Sequence, residues 1–301
     1  MMSRPAPEPP PAAAAALVGS GLSGLGQVLS REKTLLARRL VAAGDPVTPA
    51  QFDRRGWRLS EGEWRLVQLW LEQGLVTRVA DRTTSRDGTV KLLLALRDGK
   101  KVETVAMPVG ACCVSTQVGC AVGCRFCASG MFGVERHLDA DEIVEQVVHA
   151  RREMSIGRVV YMGMGEPSHN LDNVLEAVAR MRDELAMSTR RQTLSTVGGV
   201  QSIERMRAAA ARPCLALSVH TPRDDVRREL LPRAHKDPIK DIVAAADGYA
   251  RDVGIPVQFE YTLLEGVNDS DEDVELLVEL LGSARGYVNF IVYNPVDGLP
   301  Y

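Results

Sequence analysis

The chain has 301 residues, of which 45% are hydrophobic and 25% charged, the composition of an ordinary globular protein. No apolar run approaches the roughly 18 to 20 residues that a membrane-spanning helix needs, so we expect no membrane partner. The net charge of −3 excludes a globally basic surface, but the first 100 residues carry 15 Lys and Arg against 10 Asp and Glu. That excess of +5 leaves −8 for the remainder, so an RNA partner would favour the amino-terminal third. On charge alone, a solvated surface of mixed charge explains the pattern equally well.

Proline and alanine dominate the first 17 residues. These residues lack the basic start and leucine-rich centre of a signal peptide, so we predict a disordered tail over residues 1 to 17. Without an export signal, the six cysteines are expected in a reducing cytoplasm. Clustered thiols in that compartment indicate metal binding or catalysis more often than disulfides.

Two helical patterns follow the tail. "LSREKTLLARRLVAAG" and "LSEGEWRLVQLWLEQGL" place apolar residues at helical spacing and end near glycine. They predict a small helical accessory domain over residues 18 to 85, to which the positive charge assigns RNA binding. Residues 86 to 108 hold two extended runs around Asp98 and Gly99, which is typical of a β-hairpin.

From residue 109 to 301, strand patterns alternate with helical ones, which predicts an α/β core domain of parallel β/α units. The candidate strands are 112–119, 158–162, 192–196, 214–220, 257–264 and 287–294. One of the helices between them should begin with a capping box formed by Asp139 and Glu142. Such units form either a barrel or an open doubly wound sheet, and in both the chemistry lies beyond the carboxyl ends of the strands.

Polar motifs stand at five of those strand ends. They are the cysteine loop after the first strand, "GMGEP" after the second, Ser195 on the third, "SVH" closing the fourth and "NP" after the sixth. We therefore expect one face of the core domain to carry the chemistry.

Cys120, Cys124 and Cys127 lie in "CAVGCRFC", with the spacing C-x3-C-x2-C. A structural zinc site usually takes four ligands in two separated pairs, and no second C-x2-C pair exists, which argues against zinc. A 4Fe–4S cluster held by three cysteines keeps one iron without a protein ligand. S-adenosylmethionine suits that iron, because its amino and carboxylate groups can chelate it while an electron from the cluster cleaves its sulfonium bond.

The cysteine motif, with Phe126 before the third cysteine, resembles the radical-SAM signature. Further motifs in the same order resemble the radical-SAM adenine methyltransferases of ribosomal and transfer RNA: "VETVAMP", "CVSTQVGC", "MGMGEP", "LSTVGG", "LSVHTP", "EYTLLEGVNDS" and "VYNP". The resemblance implies a partial (β/α)6 barrel, one 4Fe–4S cluster at the three cysteines and S-adenosylmethionine. It also implies an electron donor such as flavodoxin or ferredoxin, and methylation of an adenine carbon, carbon 2 by preference, in ribosomal or transfer RNA.

Carbon 2 of adenine has no lone pair to attack a sulfonium methyl, which is why this family uses radicals. In the family, a methyl group carried on a cysteine near the carboxyl terminus becomes a carbon radical and adds to the base. A second cysteine, matched here by Cys113, then releases the protein–RNA thioether. A general base, matched by Glu103, takes the ring proton.

The resemblance also implies the contacts to S-adenosylmethionine. The matching positions are Gly165, Glu166, Ser195, Ser218, Val219, His220 and Asn294. We expect Glu166 to accept from the amino group of the cofactor, and Ser, His and Asn side chains to bond its ribose or carboxylate. Cys112 and Cys214 lie in apolar strand patterns and are predicted to be core residues.

The resemblance breaks after "VYNP", because no cysteine follows Asn294. We expect the sequence to be a truncated form of a longer protein that carries the methyl-bearing cysteine. Two alternatives stay open: a radical-SAM enzyme with another substrate, and an RNA-binding relative that has lost methyl transfer.

Overall fold

A computed structural model of the chain describes residues 11–22, 24–43 and 47–301. Within these ranges the helices are α1 (Pro11–Ala15), α2 (Arg31–Ala43), α3 (Pro49–Asp53), α4 (Glu61–Gln73), α5 (Ala140–Glu153), α6 (Leu171–Glu184), α7 (Val200–Ala208), α8 (Asp224–Leu230), α9 (Ile239–Val253) and α10 (Asp271–Leu281). The strands are β1 (Arg78–Thr84), β2 (Val90–Ala95), β3 (Lys101–Met107), β4 (Ala111–Cys113), β5 (Gln117–Gly119), β6 (Val134–His137), β7 (Arg158–Tyr161), β8 (Gln192–Thr196), β9 (Cys214–Ser218), β10 (Val257–Leu263) and β11 (Gly286–Val292). None of these helices has the length and apolar character needed to cross a membrane.

The described residues form two compact units. The first contains the chain up to Cys112 together with Asp139–Gly157 and Arg180–Met187. The second contains Cys113–Leu138, Arg158–Ala179 and Ser188–Tyr301.

In the first unit, both predicted helices are present as α2 and α4. Ser60 and Glu63 cap the start of α4 reciprocally, because the Ser60 hydroxyl accepts from the Glu63 amide while the Glu63 carboxylate accepts from the Ser60 amide. Trp70 on this helix is buried, and its indole nitrogen donates to the Gly21 carbonyl at 3.0 Å. Burial of the ring thus leaves no indole N–H unpaired.

The predicted hairpin is confirmed as β2 and β3, which pair antiparallel with Ala95 opposite Lys101. A third strand, β1, pairs with β2 and was not expected. It occupies the end of the segment predicted to be helical, so that prediction is wrong for Arg78–Thr84. Every residue of β1 is exposed, and its sequence therefore lacks the alternation that marks a strand with one buried face.

The predicted disordered tail is only partly testable, because residues 1–10 lie outside the described ranges. Residues Pro11–Ala15 form α1, and Leu17 is fully buried. The prediction of disorder is therefore wrong for residues 11 to 17.

The capping box at Asp139 and Glu142 is confirmed at the start of α5. This helix belongs to the first unit and lies against β3, where the Thr104 hydroxyl donates to the Gln146 side chain at 2.8 Å. The hydrogen bond is buried and pairs two polar side chains in the interior of the unit.

The second unit is built on five parallel strands that follow one another in chain order, from β7 to β11. A doubly wound sheet would reverse its strand order at a switch point, whereas a barrel keeps it, so the order favours the predicted partial barrel. The first candidate strand is broken: β4 ends at Cys113, and β5 pairs antiparallel with β6. Between them, the Val114 amide donates to the Val160 carbonyl on β7 at 2.9 Å. The α/β class is confirmed.

Candidate active site

A cavity of about 210 Å³ lies at the carboxyl ends of these strands. Eight of the predicted site residues line it: Cys120, Cys124, Cys127, Gly165, Glu166, Ser195, Ser218 and His220. They come from the cysteine loop and from β7, β8 and β9 or the turns that follow them. Four of the five polar motifs therefore contribute to one cavity in the second unit, whereas "NP" does not.

The cysteine loop is held by its backbone and by apolar packing. The Cys120 amide donates to the Gly133 carbonyl at 3.0 Å, and the Cys127 amide donates to the Cys124 carbonyl at 3.1 Å. Cys120 and Val122 are buried with Leu230 and Leu231 in one apolar cluster. Backbone hydrogen bonds thus hold the loop in place, and its cysteines lie beside apolar side chains that exclude water.

The three thiols influence one another electrostatically. Burial raises the pKa of Cys124, and the neighbouring Cys127 and Cys120 raise it further. Burial also raises the pKa of Cys120, to which Glu166 and Cys127 add. Thiolates at these positions therefore need a cationic group among them.

The donor set fits an iron–sulfur cluster better than one ion. Among the described residues, no three His, Cys, Asp or Glu side chains converge closely enough to hold a single metal ion. A 4Fe–4S cluster needs a wider arrangement, because each iron that the protein binds takes a separate thiolate. Three thiols around one cavity meet that demand.

The Glu166 carboxylate lines the cavity but is already hydrogen-bonded within the protein. Its carboxylate accepts from the Ser168 amide at 2.9 Å, from the Val197 amide at 3.0 Å and from the Thr196 hydroxyl. Its own amide donates to the Gln117 side chain at 2.8 Å. The carboxylate thus already joins the ends of β7 and β8. The predicted hydrogen bond from the amino group of S-adenosylmethionine would be one more bond to the same carboxylate.

The glycines of "GMGEP" are required by contacts within the chain. A β-carbon on Gly165 would lie 2.6 Å from the Gln117 amide nitrogen, and Gly165 has a φ of +104°. A β-carbon on Gly163 would lie 2.8 Å from the Val114 carbonyl oxygen. Only glycine allows the turn after β7 to approach the segment after Cys113 this closely.

His220 presents a defined donor. Its Nδ1 accepts from the Thr262 amide at 3.1 Å, so the proton of the neutral ring is on Nε2. Burial lowers the pKa of His220 to about 3, and the charge of Arg227 acts in the same direction, so the ring is neutral near pH 7. The edge of the ring also contacts Phe126, with centroids 5.0 Å apart.

Glu260 on β10 is a lining residue that the sequence analysis missed. One carboxylate oxygen accepts from Asn289 at 2.7 Å, while the other is buried without a hydrogen-bond partner among the described residues. Burial raises the pKa of this carboxyl. Glu260 is the single charged residue of "VQFEYTLL", and this was the available signal, since a buried parallel strand seldom carries one.

Four predicted residues do not line this cavity. Val219 is fully buried, and its amide donates to the Glu260 carbonyl at 3.0 Å, while Asn294 is exposed. Cys113 lies in the second unit at the end of β4, and burial raises the pKa of its thiol to about 11. Glu103 lies in the first unit on β3, where its carboxylate pairs with Lys91 at 2.9 Å.

The two remaining cysteines are only partly as expected. Cys112 is fully buried, as predicted for a core residue. Cys214 is partly exposed at the start of β9, and its thiol donates to the Arg190 carbonyl at 3.4 Å.

This chain is similar to known proteins over more than half of its length. The family model described as the Radical SAM superfamily matches residues 114–280. A protein of Methylibium petroleiphilum named "Probable RNA methyltransferase" is 46% identical over 229 residues, which are 76% of this chain and 65% of that protein. A Pseudomonas aeruginosa protein of the same description is 43% identical over 236 residues, 78% of this chain and 68% of its own length.

A solved structure agrees over a longer stretch. The crystal structure of a radical SAM methyltransferase from Sphaerobacter thermophilus has a TM-score of 0.79 and 35% identity, and the match covers 95% of this chain and 87% of that one. The chain spans about 65% of the length of the first two curated relatives. Because the matched family region contains all three cysteines and the turns that surround the cavity, the chain belongs to the radical SAM superfamily, whose 4Fe–4S cluster and S-adenosylmethionine are the cofactors that the sequence predicts.

Proposed function

We propose that this chain is a radical, S-adenosylmethionine-dependent methyltransferase that acts on RNA. The observation that carries the proposal is the single cavity that three cysteines share with Glu166, Ser195 and His220. The RNA substrate is supported by the relatives, which are named as probable RNA methyltransferases. In this proposal the basic first 100 residues, which lie in the first unit, provide RNA contacts, and a flavodoxin- or ferredoxin-like protein donates the electron.

Cys120, Cys124 and Cys127 would hold the cluster, and the turn at Gly165 and Glu166 would lie against S-adenosylmethionine. When bound, the cluster would supply an electron for the reductive cleavage of S-adenosylmethionine. His220 would orient the cofactor through its Nε2 proton, and Ser195 and Ser218 through their hydroxyl groups. The apolar residues packed behind the cysteine loop would keep water away from the radical.

The finer proposal is methylation of adenine at carbon 2 through a methyl-bearing cysteine. Cys113 would release the thioether, and Glu103 would take the ring proton. The pKa of about 11 means that the Cys113 thiol is protonated near pH 7, so a base must remove its proton before it can act as a nucleophile. Its burial in turn would protect the thiol from unwanted oxidation between turnovers.

The first test is anaerobic reconstitution with iron and sulfide. We expect about four irons per chain, and Cys124→Ala should lose the intact cluster together with reductive cleavage of S-adenosylmethionine. Cys214→Ala is the matched control, because Cys214 lies away from the lining residues, and it should keep both properties. A Cys124→Ala chain with a complete cluster would contradict the proposal.

The RNA substrate needs a separate test. Mass spectrometry of ribosomal and transfer RNA from a strain without this protein should show loss of 2-methyladenosine. If 2-methyladenosine is unchanged and another adenine modification is lost, carbon 2 is refuted as the target atom, while the RNA substrate is not refuted. No change in any RNA modification would refute the RNA substrate.

A further inference from the structure

The first unit contains a groove that the proposed catalytic cavity does not use. Its volume is about 290 Å³, near the lower end of ligand-binding pockets, which suits one small planar group. Apolar side chains from α2 line it, namely Leu35, Leu36 and Leu40, together with Leu185 and the ring of Trp57. We call it the Trp57 groove.

Guanidinium groups surround this apolar surface. Arg39, Arg55 and Arg151 line the groove, and Glu32 is the acidic residue among the lining side chains. Arg151 is oriented by hydrogen bonds to the carbonyls of Ile156 at 3.3 Å and Leu185 at 3.2 Å. The lining therefore combines an apolar surface with a net positive charge.

The guanidinium group of Arg39 is accessible to solvent. Its guanidinium donates to the backbone carbonyl of Asp183 at 3.2 Å, whereas the Asp183 carboxylate is bonded to Arg182 at 2.7 Å and 2.9 Å. Arg39 is exposed, so an anion from solution can reach it. The same holds for Arg55, which is also exposed.

The position of Trp57 is built into the turn after α3. The amides of Arg55 and Trp57 both donate to the Phe52 carbonyl at 3.0 Å, and Phe52 is fully buried. Gly56, between them, has a φ of +73°, the left-handed conformation that favours glycine. The turn holds the partly buried Trp57 ring in place with the Arg55 guanidinium 6.0 Å from its centroid.

We propose that the Trp57 groove binds one unpaired nucleotide of an RNA, with the base against Trp57 and the leucines and the phosphate on the arginines. This inference rests on the proposed RNA substrate and names a contact for it. Aromatic rings stack on bases of any sequence, and guanidinium groups bind phosphate oxygens in a bidentate way. A poly-acidic peptide would satisfy the arginines but would leave Trp57 and the leucines without an apolar partner.

The surrounding charge agrees with this ligand. Arg54 and Arg58 flank the turn and are exposed, so the run from Arg54 to Arg58 carries three arginines and one tryptophan around a glycine. In such interleaved sequences, the basic residues contact the phosphate backbone of a single strand and the aromatic residue stacks on a base.

The test measures binding of the 301-residue chain to a fluorescently labelled single-stranded RNA 12-mer by anisotropy, over a range of salt concentrations. Loss of one base stack in Trp57→Ala should weaken binding about tenfold, whereas Trp57→Phe should stay within about threefold of the parent. Arg55→Ala should weaken binding and lower the salt slope by about 0.7, the value for one phosphate contact on a single strand.

Matched controls separate this groove from general effects. Trp64→Ala removes a partly buried tryptophan from α4 outside the groove, and Arg86→Ala removes an exposed arginine from the β1–β2 turn. Both should bind RNA as the parent does, and circular dichroism should show that all five variants are folded.

Each outcome has a defined meaning. If the parent binds RNA and Trp57→Ala binds equally well, the groove is not a nucleotide site, while the proposed function stands. If a poly-glutamate peptide competes with the RNA in the parent and in Trp57→Ala alike, the groove recognises acidic chains and the inference is overturned. If the parent binds no RNA, both the nucleotide site and the proposed function are refuted.

Discussion

At the scale of single residues, Glu260 is the clearest sign of a ligand in the second unit. The residue is 4% exposed, and only one of its two carboxylate oxygens has a hydrogen-bond partner in the described chain. Leaving such an acceptor unpaired costs about 1 to 3 kcal/mol, more if the group is charged. A donor from S-adenosylmethionine, such as a ribose hydroxyl or the ammonium group, would remove that cost.

Glu260→Gln tests this role. The variant keeps an acceptor for Asn289 but can replace the unpaired oxygen by an amide donor, so we expect affinity for S-adenosylmethionine to fall about tenfold. Equilibrium dialysis on the reconstituted chain measures it, and the iron content should not change. Glu265→Gln, an exposed substitution after the same strand, is the control. Equal affinity in all three proteins would remove Glu260 from the site.

His149 provides a residue-scale prediction about pH. Burial lowers its pKa to about 4, so between pH 6.5 and 4 the unfolded chain binds a proton at His149 that the folded chain does not. The stability contributed by neutral His149 is present above pH 6.5 and is lost as pH falls, by up to about 1.4 kcal/mol per pH unit. His220 acts in the same direction because burial lowers its pKa to about 3.

His149→Gln isolates one of these two effects. Urea unfolding from pH 7 to 4 should show a pH slope for the variant that is shallower by about one proton. Glu145 opposes the histidines, since burial raises its pKa to about 8 and its contribution therefore weakens as pH rises between 4.5 and 8. Because both side chains contact the Thr77 hydroxyl, the difference between parent and variant reports His149 together with its coupling to Glu145. Parallel slopes would show that His149 does not carry the effect.

At the scale of elements, α8 ties together the ends of two parallel strands. Arg227 on this helix is buried, and its guanidinium donates to the carbonyls of Val197, just after β8, and of Ser218 at the end of β9. Ser195 and Ser218 both line the cavity, so this contact fixes the spacing of two proposed cofactor contacts. A helix of seven residues thereby helps to order the strand ends.

Arg227→Met should destabilise the fold by about 2 to 4 kcal/mol, because two carbonyls lose charged hydrogen bonds and only part of that loss is offset by removing a buried charge. Chemical denaturation of the full chain measures the change. Arg228→Met, at the next and exposed position, should alter stability by less than about 0.5 kcal/mol. Similar stabilities for the two variants would show that Arg227 does not hold the strand ends.

At the scale of the whole molecule, the two units have different chemistry. The cysteine loop, the turn after β7 and His220 belong to the second unit, whereas the Trp57 groove belongs to the first. The charge also differs along the sequence, with +5 over the first 100 residues, which lie in the first unit, and −8 over the remainder. Ligands should therefore protect different parts of the chain.

Hydrogen exchange measures which segments of the chain a ligand protects. S-adenosylmethionine added to the reconstituted protein should slow amide exchange in residues 120–127, 163–166 and 218–220, because a ligand that binds the folded state suppresses local opening around it. The strands β1 to β3 should exchange at an unchanged rate. Cys124→Ala should show no protection in any segment, and protection confined to the first unit would place the cofactor elsewhere.

The sequence by itself determined the features that depend on neighbours along the chain. The cysteine spacing, the Asp139 capping box and the turn at Asp98 and Gly99 are local, so their residue types predict their structure. Strand and helix periodicity also predicted the α/β class, because burial on one face leaves a repeat in the sequence.

Only the tertiary structure decided what depends on residues far apart in the chain. The strand β1 is the exception, since it pairs with β2, its neighbour in the chain, and was missed because its own residues are all exposed. Gly165 is required by Gln117, and Glu166 is occupied by Thr196 and Val197. Glu260 reaches the cavity because β10 lies beside β9. Such contacts join positions tens of residues apart, and no local pattern in one sequence records which distant partner a side chain will meet.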